Sequence, residues 1–234
     1  MRNTFATVLP ARARPALELV NTSQPALVEQ VVARQAGITA SEAAAAVGCD
    51  PTRSAMDLWR QKTGQQPEHL DPAPHDETHP GYWKTLLEPL LAAVYTKRTG
   101  HRLKRVNKVL CHPRHPWMQA NMGWEVIDVP GALILQCLNV GADELALWRD
   151  GTPAHLRLNA QHLLAVTGAS ASDMAVLMCG QELQIHRVAR DEPLISQLIQ
   201  WERTFWRCVE ANEPPRRGPP TPWLESAGSD HGSS

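Results

Sequence analysis

The sequence predicts an α/β domain in which a central mixed β-sheet is flanked by helices. Helix patterns dominate residues 24–100, and short apolar or β-branched runs separated by Pro and Gly follow them. Two more helix patterns then alternate with strand patterns. An order of helices, strands, helix, strands and helix is typical of a sheet covered by helices. With 234 residues, the chain is long enough for one domain with a sizeable core, which we expect to span residues 24–212.

The amino-terminal part contains an arm and two predicted helices. Residues 1–23 lack a regular pattern and are expected to form an N-terminal arm. A helix is predicted from Gln24 to about Gln35, because a serine and a proline mark its start. An alanine-rich helix follows, which either Thr39 or Ser41 can cap and which ends at Gly48.

Two further helix patterns surround a loop. The first runs from the capping residue Ser54 to Gly64. Residues 65–80 are rich in Pro, His and acidic residues without a hydrophobic period, so we expect a loop. Residues 82–100 form a long amphipathic pattern that contains Pro89, which predicts a kink one turn earlier or a restart of the helix at Glu88.

The second half of the chain is predicted to supply the sheet and two helices. The predicted strands are residues 103–112, 125–129 and 132–138, and a hairpin-like pair formed by 174–180 and 183–190. Helices are predicted over 154–168 and 192–212. Pro113 and Pro116 are expected to mark a turn between strands. Residues 213–234 lack a core pattern and are expected to form a disordered C-terminal tail.

The charge balance argues against a basic field over the whole protein. Lys and Arg number 23 against 24 Asp and Glu, which gives a formal net charge of −1. A DNA-binding surface must therefore be local. The candidate basic cluster consists of Lys97, Arg98, Arg102, Lys104, Arg105 and Lys108. A solvated helix end and strand face is the alternative interpretation of this cluster.

Cysteine usage and hydropathy bear on the location of the protein. Five cysteines are odd in number and show no Cys-x-x-Cys spacing, so a reducing compartment is expected. No apolar run approaches about 18 residues, and no signal-peptide pattern opens the chain. We therefore expect a cytoplasmic protein that does not interact with membranes.

Stretches spread over most of the chain match one protein family in collinear order. They are GITASEAAAAVG (37–48), DLWRQKTG (57–64), YWKTLLEPLL (82–91), YTKRTG (95–100), VLCHPRHPWMQAN (109–121), AQHLLAVTG (160–168), RDEPLISQLIQ (190–200) and FWRCVEANEPP (205–215). Together these stretches resemble the YqaJ-type viral recombinases, the phage lambda exonuclease-like branch of the PD-(D/E)xK nucleases. The resemblance implies a restriction-endonuclease-like core and a role in phage recombination.

The resemblance also implies a metal site that this sequence lacks. In the family, an Asp follows the HPWMQAN-like segment and a Glu-x-Lys pair ends the next strand. The carboxylates hold a divalent metal and the Lys assists the attacking water, which suits the oxygen-ligand preference of Mg²⁺. Here these positions are Gly123, Gln136 and Leu138. None of the three provides a carboxylate or an ammonium group, so the resemblance implies lost catalysis and no bound cofactor.

Other parts of the family pattern are retained. Glu88 stands where the family has an acidic helix residue near the metal, and Gln161 stands where a helix glutamine faces the catalytic centre. Arg34 and Ser41 match the segment that helps to hold a 5′-phosphorylated DNA end, and both side chains suit a phosphate. The plain alternatives are a helix-start acid for Glu88, a solvated glutamine for Gln161 and N-capping for Ser41.

Two tryptophans, Trp124 and Trp148, flank the degenerate site in the sequence. An aromatic side chain there can stack on a splayed base or close the cleft to solvent. Packing in the core is the alternative, because tryptophan carries a large apolar surface.

Three functions are compatible with these observations. The first is an inactive homologue of a metal-dependent exonuclease that binds duplex DNA ends or single strands. The second is an active 5′–3′ exonuclease that uses Mg²⁺ or Mn²⁺ held by relocated ligands, the nearest acids being Glu88, Glu125 and Asp128. The third is a pseudonuclease that binds a host or phage protein, for example to inhibit a host nuclease or defence system. Ring-shaped trimers occur in the family, so a homo-oligomer is a further expectation.

Overall fold

The computed structural model describes residues 18–20, 36–66 and 80–215. The predicted helix over 24–35, the residue Arg34, most of the loop over 65–80 and most of the C-terminal tail lie outside the described residues.

Seven strands and five helices make up the described residues. The strands are β1 (Glu18–Val20), β2 (Ile38–Thr39), β3 (Leu103–His112), β4 (His115–Val126), β5 (Leu133–Val140), β6 (Ala171–Met178) and β7 (Glu182–Ala189). The helices are α1 (Ala43–Ala46), α2 (Ala55–Lys62), α3 (Pro80–Thr99), α4 (Ala154–Thr167) and α5 (Glu192–Glu210), with short 3₁₀ helices at Ala40–Glu42 and Leu145–Trp148.

These strands form one mixed sheet in the order β1-β3-β4-β5-β6-β7, and the short β2 pairs with β4. All neighbours in that order are antiparallel except β5 and β6, which are parallel and are connected through α4. A parallel pair needs such a crossover. The predicted α/β class with a central mixed sheet is therefore confirmed. Three residues of the predicted N-terminal arm, Glu18–Val20, form the edge strand β1 beside β3.

The two sides of β5 carry different helices. Leu133 and Leu135 belong to a buried cluster with Leu91 and Tyr95 of α3. Ile134 belongs to a separate buried cluster that includes residues 163–166 of α4. Because side chains alternate along a strand, α3 covers one face of the sheet and α4 covers the other.

Most predicted helix ends are confirmed. Thr39, not Ser41, precedes the first helical turn, and its backbone N–H donates to Glu42 Oε2 at 2.9 Å. Ser54 caps α2, where its Oγ accepts from the backbone N–H of Asp57 at 3.1 Å. The predicted terminators Gly48, Gly64 and Gly168 all have positive φ, as glycine permits.

Two predictions about the β3–β4 region were wrong. The strand predicted over 125–129 is the end of the much longer β4, and residues 127–131 leave the sheet. Residues 117–120 of β4 are buried in succession, so they lack the polar alternation by which a strand is recognised. Pro116 lies inside β4 and not in the turn, next to a register shift between Cys111 and His112. Near such an irregularity a strand tolerates proline.

The predicted restart at Glu88 was also wrong, because α3 runs through Pro89 without a break. Pro89 is exposed. On that side, water can hydrogen-bond the carbonyl that proline leaves without its helical partner. None of the helices in the described part of the chain combines the length and apolar character that a membrane span needs.

Candidate nuclease-like site

The sheet is irregular on both sides of Gly123. The β4–β5 ladder ends at the pair Trp124 and Leu135, so Gly123 and Gln136 occupy the next register step, where no pair forms. On the other side, the pairing of β3 with β4 shifts register between Arg105 and Lys108. The two β3 residues between them lie opposite a single β4 residue, Gly123, which is the pattern of a β-bulge. Bulges and diverging strands are common beside active sites, because they redirect side chains. The sequence-predicted centre therefore lies at an opening between the hydrogen-bonded ladders of the sheet.

Glu88 approaches this opening from α3. Its Oε1 accepts a hydrogen bond from the Trp124 indole Nε1 at 2.8 Å. A Cβ added at Gly123 would stand 3.1 Å from the same oxygen, the one side-chain atom among the described residues that it would meet within 4 Å. The structure thus brings Glu88 and Gly123 together, as the family pattern implies. It also gives the Glu88 carboxylate a fixed partner in Trp124.

Gln136 is held from β6. Ser172 is fully buried, and its hydroxyl donates to Gln136 Oε1 at 3.1 Å. One of the two lone pairs of the amide oxygen is therefore used by Ser172. Among the described residues, Gln136 Nε2 makes no hydrogen bond.

Leu138 is built into the core. It packs, half-buried, against a cluster that includes Val140, Trp148, Ala160 and Val176. An ammonium group at this position would face apolar side chains, which is unfavourable for a charge. Trp148 is itself buried and contacts the ring of His186, with centroids 5.1 Å apart. The idea that Trp148 offers an open stacking surface was therefore wrong.

Cys137 lies between these two positions and is not an activated thiol. Burial, with a smaller contribution from the Glu88 carboxylate, raises the pKa of Cys137 to about 12. A nucleophilic cysteine needs a lowered pKa.

The basic cluster does not form a single face. Arg98 donates to the Leu183 carbonyl and so is partly used in packing. Arg105 lies over the Trp124 ring, 5.2 Å from its centroid, and is therefore beside the site. Lys104, one residue earlier on β3, points to the opposite side by strand alternation. The cluster members with described side chains, Lys97, Arg98, Arg102, Lys104 and Arg105, are all exposed.

Ser41 lies exposed at the start of the first helical turn. Its Oγ is 3.2 Å from Thr39 Oγ1. The next residue, Glu42, is buried and pairs with the buried Lys62 Nζ at 2.8 Å, with Arg53 at 3.9 Å on its other oxygen. This ion cluster fixes the turn and leaves the Ser41 hydroxyl at the surface.

The remaining candidate residues have structural contacts. Gln161 is buried and bridges two backbone groups, since its Nε2 donates to the Ala189 carbonyl at 2.7 Å and its Oε1 accepts from Asp191 N–H at 3.0 Å. Asp128 accepts from the backbone N–H of Arg102 at 3.1 Å and lies 3.4 Å from His101 Nδ1.

The residues at the implied metal site do not fit a divalent cation. Mg²⁺ and Mn²⁺ prefer several hard oxygen ligands. Gly123 supplies none, the Gln136 oxygen is engaged by Ser172, and Leu138 lies in an apolar cluster. Within residues 36–66 and 80–215, no three His, Cys, Asp or Glu side chains are grouped as a metal site requires.

The mixed sheet and the crossover through α4 define an α/β fold that solved structures share. The crystal structure of an alkaline exonuclease from Laribacter hongkongensis has this fold, with a TM-score of 0.62 and 21% sequence identity over 79% of this chain and 93% of that chain. The same enzyme in complex with dAMP matches with a TM-score of 0.61 over the same shares. The predicted nuclease-like core is confirmed.

Residues 30–170 match the YqaJ-like viral recombinase domain, and the chain belongs to that family. A curated relative, the uncharacterized protein YqaJ of Bacillus subtilis (strain 168), is 28% identical over 191 residues. The match covers 80% of this chain but 58% of the Bacillus protein, so this chain spans less than two thirds of that relative's length.

The sequence pattern missed the partners that hold the site residues. Ser172 gave no signal, because a serine within a strand pattern has no distinctive spacing. The Glu88–Trp124 contact joins residues 36 positions apart on different elements. The one available signal for this contact was that the resemblance places both residues close to the family's metal position.

Proposed function

We propose that this chain is a YqaJ-family recombination protein that holds DNA ends or strands without cutting them. The proposal rests on Gly123, Gln136 and Leu138 at the positions where the resemblance expects Asp, Glu and Lys, and it is supported by the contacts of Gln136 with Ser172 and of Leu138 with apolar side chains. A nuclease of this type needs carboxylates to neutralise charge at the phosphate. Without them, binding can persist while hydrolysis is lost.

Features of the sequence and of the described surface support DNA binding. Ser41 exposes its hydroxyl at a turn that a buried ion cluster holds in place. Arg34 precedes it in the same family segment. Arg105 lies beside the opening in the sheet, and exposed Lys97 and Arg102 extend the positive charge. Arginine and hydroxyl donors are suitable ligands for DNA phosphates.

Fluorescence anisotropy with labelled duplexes tests this proposal. The protein should bind a 5′-phosphorylated duplex more tightly than a 5′-hydroxyl duplex, and the affinity should fall as salt rises. Ser41→Ala and Arg34→Ala should reduce the preference for the phosphate. Ser196→Ala, at an exposed serine of α5, is the matched control and should leave it unchanged. Binding that is indifferent to both phosphate and salt would contradict the proposal.

Digestion of linear duplex DNA separates this function from an active exonuclease with relocated ligands. With Mg²⁺ or Mn²⁺ at high protein concentration, the DNA should remain intact. Degradation that disappears in Glu88→Gln would overturn the proposed loss of catalysis and would identify Glu88 as a metal ligand.

A protein partner is the second candidate function, and one observation favours it. Trp83, Leu86 and Leu90 lie at helical spacing on α3, and the two leucines are 52% and 57% exposed. Exposed apolar groups of this size mark interaction surfaces. Recovery of one stoichiometric phage or host protein, resistant to nuclease treatment and lost in Leu86→Ser/Leu90→Ser, would support this function over DNA binding.

We further propose that the protein is cytoplasmic and that it assembles as a homotrimer. The five free cysteines support a reducing location, and the family resemblance supports the trimer. Light scattering of the purified protein tests the assembly, and a monomer mass would contradict it.

A further inference from the structure

Arg105 is linked to the opening in the sheet through the ring of Trp124. The two residues are cross-strand partners on β3 and β4, and the Arg105 guanidinium carbon lies over the indole, 5.2 Å from its centroid. A guanidinium within about 6 Å of an indole is attracted by the negative face of the ring. Because the Arg105 side chain is exposed, this attraction helps to fix a long cationic group at the protein surface.

The indole is itself held from two sides. Its Nε1 donates to Glu88 Oε1 at 2.8 Å, and its apolar part packs against the cluster that contains Leu91 and Leu135. The glycine at position 123 leaves this arrangement undisturbed. A Cβ there would stand only 3.1 Å from Glu88 Oε1 and would press on the carboxylate that orients the indole.

The way in which Arg105 is held suits a phosphate ligand. Stacking on a ring uses the face of the guanidinium and occupies none of the N–H donors in its plane. Arg187 is held differently, since its Nε and Nη2 donate to Asp173 at 2.7 and 2.9 Å. That guanidinium spends its donors and its charge on a carboxylate of the protein. The contact with Trp124 positions Arg105 without this cost in donors.

The charge around Trp124 also favours a phosphate. A carboxylate at position 123 would repel a phosphodiester unless a cation stood between them. Gly123 provides no carboxylate, and the neighbouring Glu88 is half-buried and accepts the Trp124 N–H. The exposed guanidinium of Arg105 therefore presents positive charge on this side of the opening.

We propose that Arg105, positioned by Trp124 and Glu88, binds a DNA phosphate at the opening beside Gly123. This inference rests on the proposed DNA binding and deepens it, because it names the group that contacts the phosphate and the residues that position it. Since the protein supplies the positive charge, this contact should not require a divalent cation. It also gives Trp124 a role other than base stacking, because the guanidinium occupies one face of the ring.

Anisotropy titrations of a labelled duplex over a range of salt concentrations, in EDTA, test the role of Arg105. Arg105→Ala should weaken binding about tenfold, as loss of one charge-assisted contact does. It should also reduce the slope of log affinity against log salt by about one. Arg105→Lys keeps the charge but not the planar fork, and should recover only part of the affinity. Arg149→Ala, at an exposed arginine after the 3₁₀ helix Leu145–Trp148, is the control and should change neither quantity.

A double-mutant cycle tests the positioning role of Trp124. Trp124→Leu should weaken binding in the natural background and have little further effect in Arg105→Ala, because the ring acts through the guanidinium. Trp124→Phe keeps an aromatic ring but loses the bond to Glu88, so its affinity should lie between those of the natural protein and Trp124→Leu. Circular dichroism and melting temperatures establish that each variant is folded.

The outcomes separate this inference from the DNA-binding function. If Arg105→Ala binds like Arg149→Ala, or if the natural protein binds DNA only with Mg²⁺, the role of Arg105 is overturned and the DNA-binding function stands. Equal weakening by Trp124→Leu in both backgrounds overturns the positioning role of the indole. If the natural protein binds no DNA in EDTA or in Mg²⁺, both proposals fall.

Discussion

The indole Nε1 of Trp124 donates to Glu88 Oε1 at 2.8 Å, and the same oxygen would stand 3.1 Å from a side chain at Gly123. An acid that the family places near a metal is thus a hydrogen-bond acceptor for a neighbouring tryptophan. The contact links α3 to β4 across the opening in the sheet. It therefore stabilises the site in the absence of a cation.

This contact is expected to contribute measurably to stability. Trp124→Phe should lower the free energy of unfolding by about 1–2 kcal/mol, because the indole N–H to carboxylate bond is lost. In a Glu88→Ala background the same substitution should cost about 1 kcal/mol less. Urea unfolding of the four proteins measures this coupling. Equal costs of Trp124→Phe in both backgrounds would show that the bond contributes nothing.

Leu138, which the resemblance places at the family's lysine position, tests how strongly this position is built into the core. Leu138→Met should cost less than about 1.5 kcal/mol, as volume-conserving apolar exchanges do. Leu138→Lys should destabilise the protein more at pH 7 than at pH 10, since burial lowers the pKa of a lysine and favours its neutral form. Leu145→Lys, at an exposed position, is the matched control and should show little loss at either pH. The readout is unfolding by urea at each pH.

Returning the two carboxylates should create a metal-dependent stability. Gly123→Asp/Gln136→Glu restores both carboxylates, and the acid at position 123 stands beside Glu88, where repulsion between the two lowers the melting temperature in EDTA. Mn²⁺ should then raise the melting temperature of the double variant, because a bound ion stabilises the folded state. The natural protein and Gly123→Asn/Gln136→Glu serve as controls. A rise of similar size in the natural protein would contradict the absence of a fitting metal site.

We expect the buried His162 to make the stability of the protein depend on pH. Burial alone would lower the pKa of His162, but the Glu202 carboxylate, 2.8 Å from its Nδ1, and the Gln119 carbonyl outweigh it and raise the pKa. A raised pKa in the folded state stabilises the protein below the ordinary value of 6.5, and this stabilisation is lost as the pH rises through the folded value.

The free energy of unfolding, measured relative to His162→Gln, should therefore fall as the pH rises from about 6.5. His112 provides the contrast, because burial and the neighbouring His115 lower its pKa to about 4. Relative to His112→Asn, stability should instead fall as the pH drops from 6.5 towards 4. Curves of the same sign for the two substitutions would refute the assignment.

The sequence predicted the elements whose ends carry local signals. Ser54, Gly48 and Gly168 act on their immediate neighbours, so capping and left-handed glycines are visible without tertiary information. The length of β4 was not visible, because residues 117–120 are buried in succession and show no alternation. Burial on both faces is a property of the assembled sheet.

The resemblance proposes the positions of the site, and the contacts of those residues became visible only in the structure. The family pattern identified the positions of Gly123, Gln136 and Leu138, and the structure places the first two at one interrupted register step. The Ser172 hydroxyl and the apolar surroundings of Leu138 depend on the β5–β6 pairing and on α4. Such contacts join distant segments and leave no spacing in the chain.

The bulge in β3 and the early end of the β4–β5 ladder isolate Gly123 from the main-chain network around it. Residues at such a gap can be exchanged with little effect on the folding of the rest of the domain. Substitutions confined to this gap should therefore leave the architecture of the sheet unchanged.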